Sequence, residues 1–168
     1  MKQNKEKSDM ITLRKIDNGN IGDVAALEVA PGQEWLVTSA RDSFIEAWGI
    51  TASGGCALPL AVYADETPVG FVFITYDGMP EAWNPPIAKG NYEINHFYID
   101  KNHQHKGYGK AAFGLIVDHI RTLPFGPAEY CWLGYKPSNK IAERLYASFG
   151  FTLTEMKNYD ENIMVLKL

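Results

Sequence analysis

A single α/β domain built around a mixed sheet is predicted by this sequence, on three observations. The chain has 168 residues, enough for one domain but hardly for two full ones. Apolar runs of strand length and stretches with helical spacing alternate as strand-helix-helix-strand-strand-strand-helix-strand-helix-strand-strand, about seven strands and about four helices. The runs Leu58 to Ala64 and Val69 to Tyr76, parted by Asp65-Glu66-Thr67-Pro68, carry the signature of an antiparallel hairpin. A domain of this size buries roughly two thirds of the surface its unfolded chain exposes, so it folds without staples.

Residues 1–9 are polar and read as disordered, which leaves 10–168 as the domain. Met10 to Ile16 alternates and reads as the first strand. Asn18 to Asn20 is turn chemistry, and Asn20 is placed to cap a helix carrying Ile21, Val24, Ala25 and Leu27, which Pro31-Gly32 ends. A second helix is expected within Thr38 to Trp48, with Phe44, Ile45 and Trp48 facing inward, before Gly54-Gly55 opens a loop. After the hairpin, Asp77 to Gly90 holds Pro80, Pro85 and Pro86 and reads as a long connection of the sort that often binds ligands.

Tyr92 to Ile99 is the next strand. A helix from about Gly107 to Thr122 follows, with Ala112, Phe113, Ile116, Val117 and Ile120 as its apolar stripe. Pro124 and Pro127 break it, and Glu129 to Gly134 is a further strand. Ser138 is expected to cap a helix reaching Phe149, with Ile141, Ala142, Leu145 and Phe149 on its core side and Gly150 as a left-handed stop. Phe151 to Met156 and Asn162 to Lys167 close the chain, and no internal repeat interrupts the order.

Composition narrows the functions. A net charge of −4 argues against a nucleic-acid partner, which calls for a basic face, and is compatible with a cationic one. Cys56 and Cys131 cannot build a secreted disulfide framework, and Cys131, inside an apolar run, reads as a buried thiol. The first residues lack the apolar core of a signal peptide, and no stretch approaches the ~20 apolar residues of a membrane span. A cytoplasmic protein with no membrane partner is the expectation.

One segment carries chemistry. Gln104-His105-Lys106-Gly107-Tyr108-Gly109-Lys110 joins a strand to a helix. Its glycines let the backbone approach a ligand, and the helix start offers unpaired N–H groups and the positive end of its dipole. That is a potential cradle for a diphosphate. It is not a Walker loop, because Ala111 stands where the magnesium-binding hydroxyl would follow Lys110. A dinucleotide fingerprint needs a third glycine beside a first parallel strand, and that is absent too. His103-x-His105 lies on a turn without a third ligand nearby, so no metal is expected.

Gln104-x-x-Gly107-x-Gly109 resembles the Gln/Arg-x-x-Gly-x-Gly/Ala signature of the GNAT (GCN5-related) N-acetyltransferase superfamily. The resemblance extends over the strand Tyr92 to Ile99 and over Trp132-Leu133-Gly134-Tyr135, Asn139, Leu145-Tyr146 and Phe149-Gly150-Phe151. Its details are most like bacterial diamine and spermine/spermidine acetyltransferases. The resemblance implies a mostly antiparallel twisted sheet whose fourth and fifth strands splay apart to admit a thioester. It implies acetyl-CoA as cosubstrate, with the diphosphate on the amides of Gln104, His105, Lys106, Gly107, Tyr108, Gly109 and Lys110. The pantetheine arm would pair with main chain around Phe97, Tyr98 and Ile99, an added strand that leaves side chains free for the core. Asn139 would hydrogen-bond the same arm, and Tyr146, seven residues on, matches the family's general acid. Family members often pair through their last strands, so a homodimer is expected.

An alkyl ammonium has a pKa near 10 and attacks a thioester only after losing its proton, so a base is required. Glu93 opens the strand that carries the thioester and stands 11 residues before Gln104, a spacing similar to that of the histone acetyltransferase branch. His96 is the other candidate. Alternation groups His96 with Tyr92, Ile94 and Tyr98, opposite Glu93, Asn95, Phe97 and Ile99, unless a bulge reassigns the faces beyond it. Asp100, at the strand exit near the diphosphate, suits the role less. Glu34, Asp42, Glu46, Asp77 and Glu81, with Trp35, Trp48 and Trp83, are candidates for an acidic, aromatic mouth that takes a small amine or polyamine. Two other functions stay open: acetylation of a protein N-terminus or lysine, and a non-catalytic acetyl-CoA-binding regulatory module.

Overall fold

The computed structural model describes residues 9–77 and 85–168. The expectations for residues 1–8 and for Pro80, Glu81 and Trp83 lie outside the described residues. Seven strands are present: β1 Ile11–Lys15, β2 Cys56–Ala64, β3 Thr67–Tyr76, β4 Tyr92–Ile99, β5 Tyr130–Tyr135, β6 Thr152–Asn158 and β7 Glu161–Lys167. They form one sheet in the order β1-β2-β3-β4-β5-β7-β6, antiparallel throughout except for the parallel neighbours β4 and β5. The helices are α1 Ile21–Ala25, α2 Ala40–Ala52, α3 Tyr108–Arg121 and α4 Lys140–Ser148.

Strand periodicity divides the core between the two faces. Val72 and Ile74 of β3, with Tyr92 and Ile94 of β4, pack under Phe113, Ile116, Val117 and Ile120 of α3. That is the stripe the helical spacing predicts, and fully burying one such side chain contributes roughly 1.5–3 kcal/mol. Phe71 and Phe73, one residue out of phase, face Ala40, Ala47 and Ile50 of α2 with Val24 of α1.

The expectations for three of the helices need correction. Helix α1 stops at Ala25, well before Pro31. The segment after it is claimed by the end of β4: the Tyr98 hydroxyl donates to Leu27 O at 3.3 Å, Asp100 Oδ2 accepts from Glu28 N at 3.0 Å, and Lys101 N donates to Glu28 O at 2.7 Å. Asn20 occupies the cap position, but its side chain closes the preceding turn, accepting from Asp17 N and donating to Lys15 O. In α2 the inward row is Ala40, Ser43, Ala47 and Ile50, while Ile45 and Trp48 are 67% and 74% exposed. Phe44 packs against Phe71 as expected, but small residues hold most of the row against the sheet, and Ile45 and Trp48 lie on the outside. In α4 the cap is Asn139, whose Oδ1 accepts from Ala142 N at 3.1 Å, and Ile141 is exposed. Gly150 has φ +90°, the left-handed stop expected of it.

No helix among the described residues is long and apolar enough to cross a membrane.

Candidate active site

The strands β4 and β5 pair only at Tyr92 with Cys131 and Glu93 with Trp132. Beyond Glu93, β4 keeps its partner β3 but has none on its other edge, so a slot opens between β4 and β5. In the same stretch the register against β3 jumps, Ile74 facing Ile94 and Phe73 facing His96, which leaves Asn95 as an extra residue. A bulge of this kind re-aims the side chains that follow it. Glu93, His96 and Tyr98 consequently share the α2 face, while Ile94 and Phe97 point toward α3. Simple alternation, which set Glu93 opposite His96, is thereby overturned.

On the α2 face lies a cleft of about 760 Å³, lined by Glu28, Glu34, Trp35, Asp42, Glu93, His96, Lys101 and Glu161 among others. Toward α4 lies a groove of about 290 Å³, lined by Phe97, Ile99, Gln104, His105, Tyr108, Gly109, Asn139 and Tyr146 among others. Cleft and groove share Asn95, Tyr98, Gly134 and Lys136, so they meet at the slot.

Glu93 stands where they meet. Its Oε2 accepts from the Thr75 hydroxyl at 2.9 Å. Burial raises its pKa from 4.5 to about 8, opposed by the Thr75 hydrogen bond and reinforced by the negative charges of Glu46 and Glu161. His96 is held differently. The Ser43 hydroxyl donates its one proton to Ser39 O at 2.8 Å, so in the 2.9 Å contact between Ser43 and His96 the ring nitrogen Nδ1 must be the donor. That tautomer leaves Nε2 unprotonated, and burial lowers the ring's pKa to about 4. His96 is neutral at any ordinary pH.

The turn from Gln104 to Lys110 has the form of a cradle. His105 and Gly107 take positive φ, +63° and +82°, and Gly107 is the cap residue of α3. Among the described residues, no amide from Gln104 to Lys110 has an acceptor outside α3 itself. The Gln104 side chain is spent on the turn: its Nε2 donates to Ile99 O at 3.0 Å and to Gln33 Oε1 at 2.9 Å. Lys106 and Lys110 are exposed beside the free amides, and the Tyr108 hydroxyl donates to Asp9. A row of free amides at a helix start, under a groove edged by an unpaired strand, suits a diphosphate-bearing extended ligand.

Tyr146 lines the groove with its ring 5.0 Å from Phe113 and 6.2 Å from Tyr135, centroid to centroid. Burial and then the charge of Glu161 push its hydroxyl well above the ordinary phenol value. Asp100 is almost fully buried. Burial alone would raise its pKa, but hydrogen bonds from Glu28 N, Asn102 N and His103 outweigh this and hold it below the usual carboxylate range. It is a strut between the 27–28 segment and the turn. Among the described residues no three His, Cys, Asp or Glu side chains converge as a metal site requires.

Of the acidic mouth, Glu34 and Asp42 line the cleft with Trp35, and Glu46 approaches Asn95 at 3.5 Å. Asp77 instead accepts from Gly90 N, and Trp48 points outward from α2. Sequence reasoning missed Glu161, Lys136 and Gly134. The available signal was the glycine inside a strand pattern, which marks a close approach by another group.

Three comparisons with known proteins bear on this site. The family described as the acetyltransferase (GNAT) family matches residues 23–151. A spermine/spermidine N(1)-acetyltransferase of Bacillus subtilis (strain 168) is 30% identical over 111 residues, 66% of this chain and 70% of that protein. A probable spermine N(1)-acetyltransferase of Bacillus subtilis subsp. natto is 31% identical over the same shares. Among solved structures, the aminoglycoside acetyltransferase AAC(6')-Ib in complex with coenzyme A superposes with TM-score 0.73 at 16% identity, covering 94% of this chain and 95% of that one. At that identity the likeness is one of fold.

Proposed function

We propose how this chain, which belongs to the acetyltransferase (GNAT) family and is an acetyl-CoA-dependent N-acetyltransferase, selects and activates its acceptor: it acetylates a primary amine of a small polycation, a diamine or polyamine. The observation that carries the reading is the acidic cleft opening onto the slot at Glu93. Lys101 is paired with Glu28, and Lys136 with Asp160, so the cleft cations are already neutralised. Glu34 and Asp42 leave the cavity negative, and a cleft lined by one sign of charge concentrates counter-ions. Trp35 offers a ring to aliphatic or cationic segments. The named activity of the two Bacillus subtilis relatives agrees with this acceptor class.

Bound acetyl-CoA supplies the activated acetyl group. The amides of 104–110 would hold its diphosphate, and the free edge of β4 at Phe97 to Ile99 would pair with its pantetheine arm, with Asn139 beside it. Glu93 takes the proton of the acceptor ammonium. A carboxylate of pKa about 8 is far closer to an alkyl amine near 10 than an ordinary carboxylate is, so the transfer is less uphill. The freed amine attacks the acetyl carbonyl carbon, and the carbon–sulfur bond breaks as Tyr146 donates its proton to the departing sulfur. The second proton, shed by the nitrogen on forming the amide, passes through water to restore the Tyr146 hydroxyl.

The test is thiol release from acetyl-CoA with spermine, spermidine, short diamines and lysine or N-terminal peptides. Release with the polyamines and diamines is expected. Release with peptides alone would refute the acceptor class, and coenzyme A binding without any release would refute catalysis. A second expectation concerns the cradle. Gly107 has φ +82° with open space around its missing Cβ, so Gly107→Ala creates strain without a clash. Moving a non-glycine residue into that conformation costs about 1–2 kcal/mol. Calorimetry should show coenzyme A affinity falling about tenfold while the fold persists; unaltered affinity would remove Gly107 from the cradle.

A further inference from the structure

Glu161 is the first residue of β7 and pairs with Asn158 across the β6–β7 turn. It is far in sequence from the glycine turn and from Glu93, yet it reaches the same slot. The reason is Gly134. On β5, Leu133 and Tyr135 pack into the core beneath α3, so Gly134 faces the opposite side, that of the cleft. A Cβ built on Gly134 would lie 2.5 Å from Glu161 Oε2, closer than any real contact. The absent side chain is the space that this carboxylate fills. Glu161 is thus laid across β5 at the mouth of the slot, and its charge is felt by Glu93 on one side and by Tyr146 on the other.

Its own partners leave it incompletely paired. Lys136 Nζ is 2.6 Å from Asp160 and only 3.8 Å from Glu161. Asp160 is largely exposed at the turn, while the Glu161 side chain is 29% exposed and lines the cleft beside Asn158. Lys136, which also lines the cleft, is thus held mainly by Asp160, and among the described residues no other cation lies within ion-pair distance of Glu161.

We propose that Glu161, seated over Gly134, is the acceptor-binding carboxylate of this site: it holds the reacting ammonium of a cationic amine at the slot while Glu93 removes the proton. This rests on the small-amine reading above and goes further by dividing the two acidic roles between two strands. Glu161 holds and Glu93 deprotonates. The pairing also explains why a strand otherwise filled with Trp132, Leu133 and Tyr135 gives up a side chain at 134.

Glu161→Gln, nearly isosteric, separates binding from chemistry. A hydrogen bond to a charged group contributes roughly 1.5–3 kcal/mol, and tenfold corresponds to about 1.4 kcal/mol. The KM for a terminal diamine should therefore rise at least tenfold, with kcat within about threefold and coenzyme A affinity unchanged. Calorimetric titration of the same diamine into the coenzyme A-loaded protein should show the same tenfold loss. Gly134→Ala, which pushes the carboxylate aside without removing it, should weaken diamine binding in the same direction. An unchanged diamine KM and Kd in Glu161→Gln would overturn the proposal, as would a fall in kcat alone. If the wild-type chain acetylates peptides but no diamine, the small-amine reading fails first and this proposal with it.

Discussion

Tyr146→Phe is expected to lower kcat by about 10²-fold, the lower end of what a general acid contributes, while coenzyme A affinity stays within a factor of two. The substitution removes one oxygen and keeps the ring. The tilted ring contacts with Phe113 at 5.0 Å and with Phe151, and the edge contact with Tyr135, survive, so thermal stability should change little. The hydroxyl is well placed to be an acid rather than a base. Burial, and after it the charge of Glu161, keep the phenol protonated through and beyond the pH range of the assay. Desolvation that disfavours a phenolate equally disfavours a thiolate, so the proton has reason to move as sulfur charge builds. Steady-state thiol release with saturating acceptor reads the effect. Undiminished turnover in Tyr146→Phe would return the residue to a packing role.

Much of this arrangement was legible in the residues because two periodicities were clean. Tyr92 to Ile99 and the stripe Ala112, Phe113, Ile116, Val117 and Ile120 stand where the sequence put them, since nothing tertiary competes with their local preference. The turn between them was equally legible, because its glycines mark backbone that other residues avoid, and Gly107 takes φ +82° there. What escaped was set by contacts distant in sequence. The bulge at Asn95 leaves no mark, since Asn95 and His96 are both polar and an inserted residue between them hides inside the alternation. Helix α1 is cut short by Tyr98, Asp100 and Lys101, some seventy residues away. In α2, apolar character pointed to Ile45 and Trp48, but close approach to the sheet selects Ala40, Ser43 and Ala47. Glu161 was invisible because only the β5–β7 pairing brings it over Gly134.

Glu93→Gln should have the largest effect of all, and pH separates its causes. With Glu93 as base at a pKa of about 8, kcat/KM for the acceptor rises through pH 8 as the carboxylate ionises. In Glu93→Gln that limb disappears, leaving only the acceptor's own ionisation near pH 10, and the rate falls by about 10²–10³. His96 cannot imitate this signature. Its pKa is lowered to about 4 and its Nδ1 proton is fixed on Ser43, so it has no protonation change near pH 8 to lose. If His96→Ala abolishes the limb and Glu93→Gln preserves it, the two roles must be exchanged. Stability supplies an independent check with a definite sign. Between 4.5 and about 8 the unfolded chain has released this proton while the folded one retains it, so stability declines as pH rises across that window. Glutamine has no proton to release. The melting temperature of Glu93→Gln relative to wild type should therefore climb from pH 4.5 to 8 and level off above it. A difference that is flat across the window would mean that Glu93 titrates as an ordinary solvated carboxylate, and the base would have to be sought elsewhere in the cleft.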